Sequence, residues 1–170
     1  MKNSFTCPAR YDSLVKAITV AYLLLIALVA TILLVVRAPF YVVVITLVIF
    51  TAMAIAAFAL SPRAFVLSEE GLLICLNVKK ICLKYQDIVS ARYAPQAWSW
   101  VKIRLCGSGG LFGFYGLFLL KNLGRAWLFV TNRRNIILVE TRSGKKFLIS
   151  PEDPRKFMIE LMKRMKELNR

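Results

Sequence analysis

The chain has 170 residues, of which 58% are apolar, and its formal net charge is +15. This apolar fraction exceeds that of an ordinary soluble domain, so a membrane protein is the first class to consider. The sequence contains no histidine, which excludes the zinc motifs that use histidine and the acid–base catalysis that depends on it.

An N-terminal segment, residues 1–16, precedes two long apolar runs at residues 17–36 and 40–60. Neither run contains a charged residue, and each can cross a hydrocarbon core of about 30 Å as an α-helix. Two buried helices of a soluble protein are an alternative, but such helices usually keep a polar stripe. A cleaved signal peptide is disfavoured because its apolar region normally has about 7 to 15 residues.

The two runs are separated by residues 37–39 alone, so they are predicted to form an antiparallel helical hairpin. Positively charged residues flank its outer ends, namely Lys2, Arg10, Lys16 and Arg63. The turn of the hairpin carries the single Arg37. Because basic flanks remain on the cytoplasmic side, we expect a multi-pass protein of the plasma membrane with both termini in the cytoplasm.

Residues 61–170 form the predicted cytoplasmic domain. They hold 20 of the 24 basic and 8 of the 9 acidic residues, a net charge of +12. Short β-like runs between turn residues predict strands at residues 64–67, 72–76, 80–84, 88–93, 99–106, 115–120, 125–131, 136–141 and 146–149. Short strands with this spacing indicate an antiparallel sandwich or a partly open barrel.

The alternation is clearest at residues 99–106, where Val101, Ile103 and Leu105 are predicted to face a core. The Gly-rich residues 107–110 then interrupt the pattern. Glycines can cradle a phosphate, but this segment lacks the Gly-Lys-Ser/Thr ending of a P-loop and the setting of a dinucleotide fingerprint. A flexible turn or a bulge is the favoured interpretation.

A C-terminal helix is predicted at residues 151–168, with Ser150 as the N-cap and Pro151 at the first helical position. Its apolar residues recur at three- and four-residue steps. They are Phe157, Leu161, Met165 and Leu168. One face of this amphipathic helix should therefore close the β-structure.

Several segments carry a resemblance to a known family. They are residues 109–116, 127–131, 137–141 and 149–154, followed by Phe157. Over about residues 64–168 the chain resembles the prokaryotic pleckstrin-homology-like (bacterial PH) domains, and the preceding two-helix anchor is similar to that of many such proteins.

The resemblance implies a mostly-β PH-like domain with two nearly orthogonal antiparallel sheets, about seven strands and one C-terminal capping helix. It implies no shared catalytic residues. The eukaryotic namesakes often bind phosphoinositides through basic residues of the first hairpin. Here that hairpin carries Glu69 and Glu70, which counts against a transferred inositol-phosphate pocket.

The basic residues of two predicted hairpin turns are the candidate contacts with an anionic surface. They are Arg133, Arg134, Arg142, Lys145 and Lys146. Near an anionic leaflet each basic residue contributes on the order of 1 kcal/mol of attraction. The alternative is that these are solvated turn residues of a cytoplasmic domain.

No catalytic residue, metal ligand or cofactor is predicted, and the four cysteines are expected to be isolated buried or half-buried thiols.

We therefore expect a non-enzymatic, membrane-anchored interaction module that docks on anionic lipid headgroups, on another membrane protein or on copies of itself. The alternative is a small accessory subunit of a transport or secretion complex, with the domain as a cytoplasmic cap. Nucleic acid binding is disfavoured, although a net charge of +12 would attract any polyanion, because the domain is fixed a few residues from a bilayer.

Overall fold

The computed structural model describes residues 4–121 and 123–168. Two long helices, α1 (Ser13–Val35) and α2 (Phe40–Ala59), form the predicted hairpin. Both are long and apolar enough to cross a membrane, with mean hydropathies of 2.9 and 2.7. They touch where the Tyr22 hydroxyl donates to the Phe50 carbonyl at 2.9 Å. Helix α1 begins at Ser13 rather than at residue 17, because Asp12 provides an N-cap.

The β-structure has ten strands among the described residues, arranged in two sheets. The first sheet has the order β1-β2-β3-β4, with β1 at Phe5–Pro8, β2 at Pro62–Leu67, β3 at Gly71–Leu76 and β4 at Lys80–Lys84. The second has the order β5-β9-β10-β8-β7-β6, with β5 at Ile88–Tyr93, β6 at Val101–Gly110, β7 at Gly113–Leu120, β8 at Gly124–Val130, β9 at Ile137–Thr141 and β10 at Lys146–Ile149. Helix α3 (Pro154–Leu168) follows.

The predicted fold class, two sheets with one C-terminal helix after a helical hairpin, is confirmed. Two details differ from the expectation of about seven antiparallel strands. The described residues form ten strands, and β10 pairs with β8 in parallel. After β8 the chain passes over the end of β10 to reach β9, and β10 then runs back between β9 and β8. Strand β10 therefore runs in the same direction as β8.

The central strands of the second sheet are buried on both faces, which explains their continuous apolar runs. In β9, Ile137 and Val139 face a core that also contains Phe157 and Leu161 of α3. Leu138 faces a second core on the other side of the sheet. That second core is covered by a 3₁₀ helix, Pro95–Trp100, and by the first turn of α1. The start of the apolar hairpin is therefore part of the packed domain.

The N-terminal segment differs most from the prediction. Residues 5–8 form a strand that pairs with β2, and Cys7 lies opposite Phe65 with 4% of its surface exposed. The ring of Phe5 lies 6.4 Å from that of Phe157. The helical hairpin is thus inserted between two neighbouring strands of one sheet. The expected division at residue 61 leaves β1 out, although β1 covers what would otherwise be an open edge of β2.

The predicted core face of β6 is wrong. Ile103 and Leu105 are 57% and 47% exposed, because β6 is an edge strand and because bulges at two places break its alternation. Residues 107–110 belong to this strand, and the turn follows at residues 111–112. A side chain at Gly107 would collide with the backbone of β7, so glycine allows the close approach of the two strands.

Helix α3 begins at Pro154, three residues after the predicted start. Asp153 caps it, since the Asp153 carboxylate accepts the Lys156 N–H at 3.1 Å. Ser150, the predicted N-cap, instead accepts the Thr131 N–H at 2.8 Å in the buried crossover after β8. The predicted apolar face is buried at Phe157 and Leu161. The side chain of Leu168 lies outside the part that the structure describes.

Candidate membrane interface

Three turns of the domain contact the apolar helices and define its helix-facing end. The Val78 N–H donates to the Ala59 carbonyl of α2 at 3.1 Å. The Phe112 N–H donates to the Thr19 hydroxyl of α1 at 3.3 Å. In the crossover after β8, the Thr131 carbonyl accepts the Asp12 N–H at 2.9 Å. The helix-facing end therefore consists of residues 77–79, 111–112 and 131–135.

The opposite ends of the same strands form the far end of the domain. Gly71 pairs with Lys84 and Ile88 pairs with Thr141, so the turns after β2, β4 and β9 lie together. The Lys146 ammonium donates to the Leu123 carbonyl at 2.6 Å, which places the turn after β7 there as well. Glu69 and Glu70 belong to this far end.

Asp12 joins the start of α1 to the crossover after β8. One carboxylate oxygen accepts the Val15 N–H at 2.8 Å and caps the helix. The other accepts the Arg133 Nε–H at 2.7 Å, in an ion pair whose side chains are 11% and 31% exposed. Burial raises the pKa of the Asp12 carboxyl, but the bonds from Arg133 and Val15 outweigh that effect and hold this pKa below its usual value. Asp12 is thus ionised near neutral pH.

The last turn of α2 is capped by the domain. The Asn77 amide donates to the Phe58 carbonyl at 2.8 Å and to the Ser61 hydroxyl at 3.0 Å. The Tyr115 hydroxyl donates to the Ala57 carbonyl. Helix C-termini leave carbonyl groups without intrahelical partners, and here side chains of two different strands or turns satisfy them. The junction between α2 and the domain is therefore a packed, hydrogen-bonded contact rather than a flexible tether.

The tip of the β6–β7 hairpin contacts both apolar helices. The ring of Phe112 packs edge-on against that of Phe58 of α2, at 5.4 Å between centroids. The backbone N–H of Phe112 donates to the Thr19 hydroxyl of α1, as described above. Gly110 lies against Ile18 and has no room for a side chain. This tip fixes how the domain sits on the helical hairpin.

Five exposed basic residues surround these contacts. They are Lys16, Arg63, Lys79, Lys80 and Arg134. None of the five forms an ion pair within the described ranges, whereas Arg10 and Arg133 nearby are paired with Glu152 and Asp12. The helix-facing end therefore presents unpaired positive charge around the point where the apolar helices leave the domain.

The five predicted contact residues fall into two groups. Arg133 and Arg134 lie at the helix-facing end, but Arg133 is held by Asp12 and by the ring of Trp98 at 5.6 Å. Arg142, Lys145 and Lys146 lie at the far end, where Lys146 is only half-exposed. Strand β9 separates the groups by five residues, or about 15 Å. The structure does not bring all five onto one surface.

Sequence reasoning missed Lys79 and Lys80. The signal that points to them is the β2–β3 hairpin. Strand β2 leads away from the end of α2, and β3 returns to it over a similar length, so the turn after β3 must lie beside the helix. Strand direction likewise places the turn after β9. Because β9 starts from the crossover at the helix-facing end, the turn that follows it must lie at the far end.

The four cysteines are free and separate. Cys7 is buried and Cys75 is half-buried, as predicted, but Cys82 and Cys106 are exposed. Cys106 is exposed because it lies on the edge strand β6. Burial raises the pKa of the Cys7 thiol, which therefore remains protonated and behaves as a small apolar side chain. Within the described residues no three metal-ligating side chains cluster.

Comparison with known protein families matches residues 63–165 to the family described as bacterial PH domain. No curated protein and no solved structure matches the chain. Within the described part of the chain, the match includes strands β3 to β10, all of β2 except Pro62, and most of α3. Strand β1 and the helical hairpin lie outside the match.

Proposed function

Because the chain belongs to the bacterial PH domain family, we propose that it is a non-enzymatic, membrane-anchored module whose helix-facing end rests on anionic lipid. The observation that supports this most is the insertion of the apolar hairpin between β1 and β2. A hairpin that crosses the bilayer from inside the domain holds one end of that domain against the headgroups. This arrangement supports the helix-facing end as the surface that meets the lipid.

Charge favours the same orientation. Five basic residues of the helix-facing end form no ion pair with any described residue, namely Lys16, Arg63, Lys79, Lys80 and Arg134. Each contributes on the order of 1 kcal/mol near an anionic leaflet. The acidic turn at Glu69 and Glu70 points away, at the far end. In this proposal Arg142, Lys145 and Lys146 contribute less than predicted from the sequence, because they lie about 15 Å further from the helices.

The basic flanks of the hairpin support a location in the plasma membrane, with both termini and the domain in the cytoplasm. The inner leaflet carries most of the anionic lipid, and its surface potential falls off within a Debye length of about 8 Å at physiological ionic strength. Only the helix-facing end lies within that distance when the apolar helices span the bilayer. The lipid contact thus depends on orientation as well as on net charge.

Lysine reactivity tests the proposal directly. The full chain is placed in nanodiscs of phosphatidylcholine, or of phosphatidylcholine with phosphatidylglycerol, and acetylated with a water-soluble amine reagent. Mass spectrometry then gives the acetylation rate of each lysine. We expect Lys16, Lys79 and Lys80 to react several-fold more slowly when phosphatidylglycerol is present, and salt to restore their rates, because salt screens surface electrostatics.

Lys84, Lys121 and Lys145 at the far end are internal controls, and their rates should not change. Equal slowing of all lysines would indicate a general effect of surface charge and would contradict the proposed orientation. Slowing of Lys145 and Lys146 alone would show that the turn after β9 is the contact, as the sequence predicts.

A second candidate function is that of an accessory subunit, or of one copy in a homo-oligomer. It is favoured by the surface of the hairpin, since the apolar windows of α1 and α2 are 0% buried. Small residues along α2, including Ala52 and Ala59, would allow close packing of a further helix. Crosslinking of the full chain in its native membrane tests this candidate. A discrete crosslinked product with a partner or a second copy is expected, and absence of such a product would contradict it.

A further inference from the structure

A groove of about 460 Å³ opens where the apolar helices meet the edge strand β6. Its helix side is lined by Ile18, Tyr22 and Met53, with two alanines of α2 between them. Its strand side is lined by Arg104, Ser108 and Gly109. The groove therefore combines an apolar wall with one basic side chain.

Gly109 makes room for the Arg104 guanidinium. A Cβ atom at Gly109 would lie 2.8 Å from Arg104 Nη1, which is too close for ordinary contact. The next residue, Gly110, lies directly against Ile18 of α1. Arg104 thus extends along the edge strand towards the helices. No hydrogen bond or ion pair is formed by this guanidinium in the part of the chain that the structure describes, so its charge is available to a ligand.

The groove follows the helices into the apolar layer. On α2 it extends from Leu60 at the helix end to Met53, seven residues or about 10 Å along the axis. Arg104 lines the strand side of the groove and belongs to the domain, from which the two helices lead away. A cation on the domain side of an apolar groove that descends along membrane-spanning helices matches a phospholipid, whose phosphate lies at the headgroup level and whose acyl chain lies below it.

We propose that this groove binds one anionic phospholipid, with its phosphate on the Arg104 guanidinium and an acyl chain between Tyr22 and Met53. The proposal rests on the proposed function, because the helices must span the bilayer for the groove to face an acyl chain. A guanidinium offers two parallel N–H groups to a phosphate. Among the described residues no carboxylate lines the groove, so the ammonium group of a zwitterionic headgroup would have no partner there, and an anionic lipid is favoured.

Native mass spectrometry of the full chain in mild detergent tests the proposal. After delipidation the chain is titrated with phosphatidylglycerol and, separately, with phosphatidylcholine. We expect one molecule of phosphatidylglycerol to bind in preference to phosphatidylcholine. Arg104→Ala should weaken that binding by about tenfold or more, the loss expected for a charge-assisted hydrogen bond. Gly109→Ala should weaken it as well, since the new methyl group displaces the guanidinium.

Lys102→Ala is the matched control, because Lys102 is exposed on the same strand but does not line the groove. Ala56→Phe fills the groove without changing charge, and it should also reduce binding. Equal binding of the two lipids, or equal effects of Arg104→Ala and Lys102→Ala, would overturn the proposal. Failure of the proposed function is distinguishable from this result, because it appears as unchanged acetylation of Lys79 and Lys80 when phosphatidylglycerol is added, and these two lysines do not touch the groove.

Discussion

A fragment that begins at residue 61 should show no cooperative unfolding transition. The same fragment joined to residues 4–16 by a short flexible linker should unfold cooperatively. The fragment lacks β1 and the first turn of α1, and with them the buried side chains of Cys7 and Val15, which are 4% and 1% exposed. Burial of one such side chain stabilises a fold by about 1.5–3 kcal/mol. Their joint loss is a large part of a typical stability of about 5–15 kcal/mol.

The measurement is urea unfolding followed by tryptophan fluorescence, since all three tryptophans lie in the domain. The linker is geometrically possible because the start of α1 and the end of α2 both contact the β6–β7 hairpin. A fragment with the same linker and a scrambled sequence of residues 4–16 is the control. Equal cooperativity of the fragment alone and of the joined form would show that β1 is dispensable, against the structure.

The second large effect is expected for Asp12→Ala. This substitution removes the N-cap of α1 and leaves the half-buried guanidinium of Arg133 without its partner. Loss of the cap costs about 1 kcal/mol, and the unpaired charge adds about 1–2 kcal/mol. The melting temperature of the domain in nanodiscs should fall by roughly 10 °C. Tryptophan fluorescence reports the change well, because Trp98 lies against Arg133.

Arg10→Ala is the matched control, since it breaks an ion pair in which Arg10 is 75% exposed. Exposed pairs contribute about 0–1 kcal/mol, so its effect should be small. Acid should act like the substitution. The folded pKa of Asp12 is lowered, so its stabilisation is present above about pH 4 and is lost as the pH falls through the folded pKa. If Asp12→Ala and Arg10→Ala cost the same, Asp12 does not join the helix to the domain.

The helical hairpin and most strands were predictable from the sequence, because each depends on local periodicity. Strand β1 was not, since it has four residues and its partner β2 begins more than fifty residues later. The faces of β6 were mispredicted for a related reason. Alternation in a sequence shows which side chains lie on the same face of a strand, but not whether that face is covered. Ile103 and Leu105 lie on an uncovered face, and this becomes apparent only from the order of the strands in the sheet.

The candidate site required long-range pairing as well. The Asp12–Arg133 ion pair joins residues that are 121 positions apart, and no local pattern indicates it. Asp12 nevertheless stands out, because it is the single acidic residue before the domain and directly precedes an apolar helix, the usual position of an N-cap. The basic turns were recognised from composition, whereas their separation into two ends follows from strand register.

The orientation of the domain on the bilayer is tested most directly by fluorescence quenching from the headgroup level. In full chains whose exposed Cys82 and Cys106 are replaced by serine and whose Cys7 and Cys75 are replaced by alanine, Val78→Cys and Ser143→Cys introduce one exposed labelling site at each end of the domain. The nanodiscs contain a lipid with a quencher on its headgroup. We predict strong quenching of a fluorophore at position 78 and weak quenching at position 143. Equal quenching at the two positions, or stronger quenching at position 143, would contradict the account.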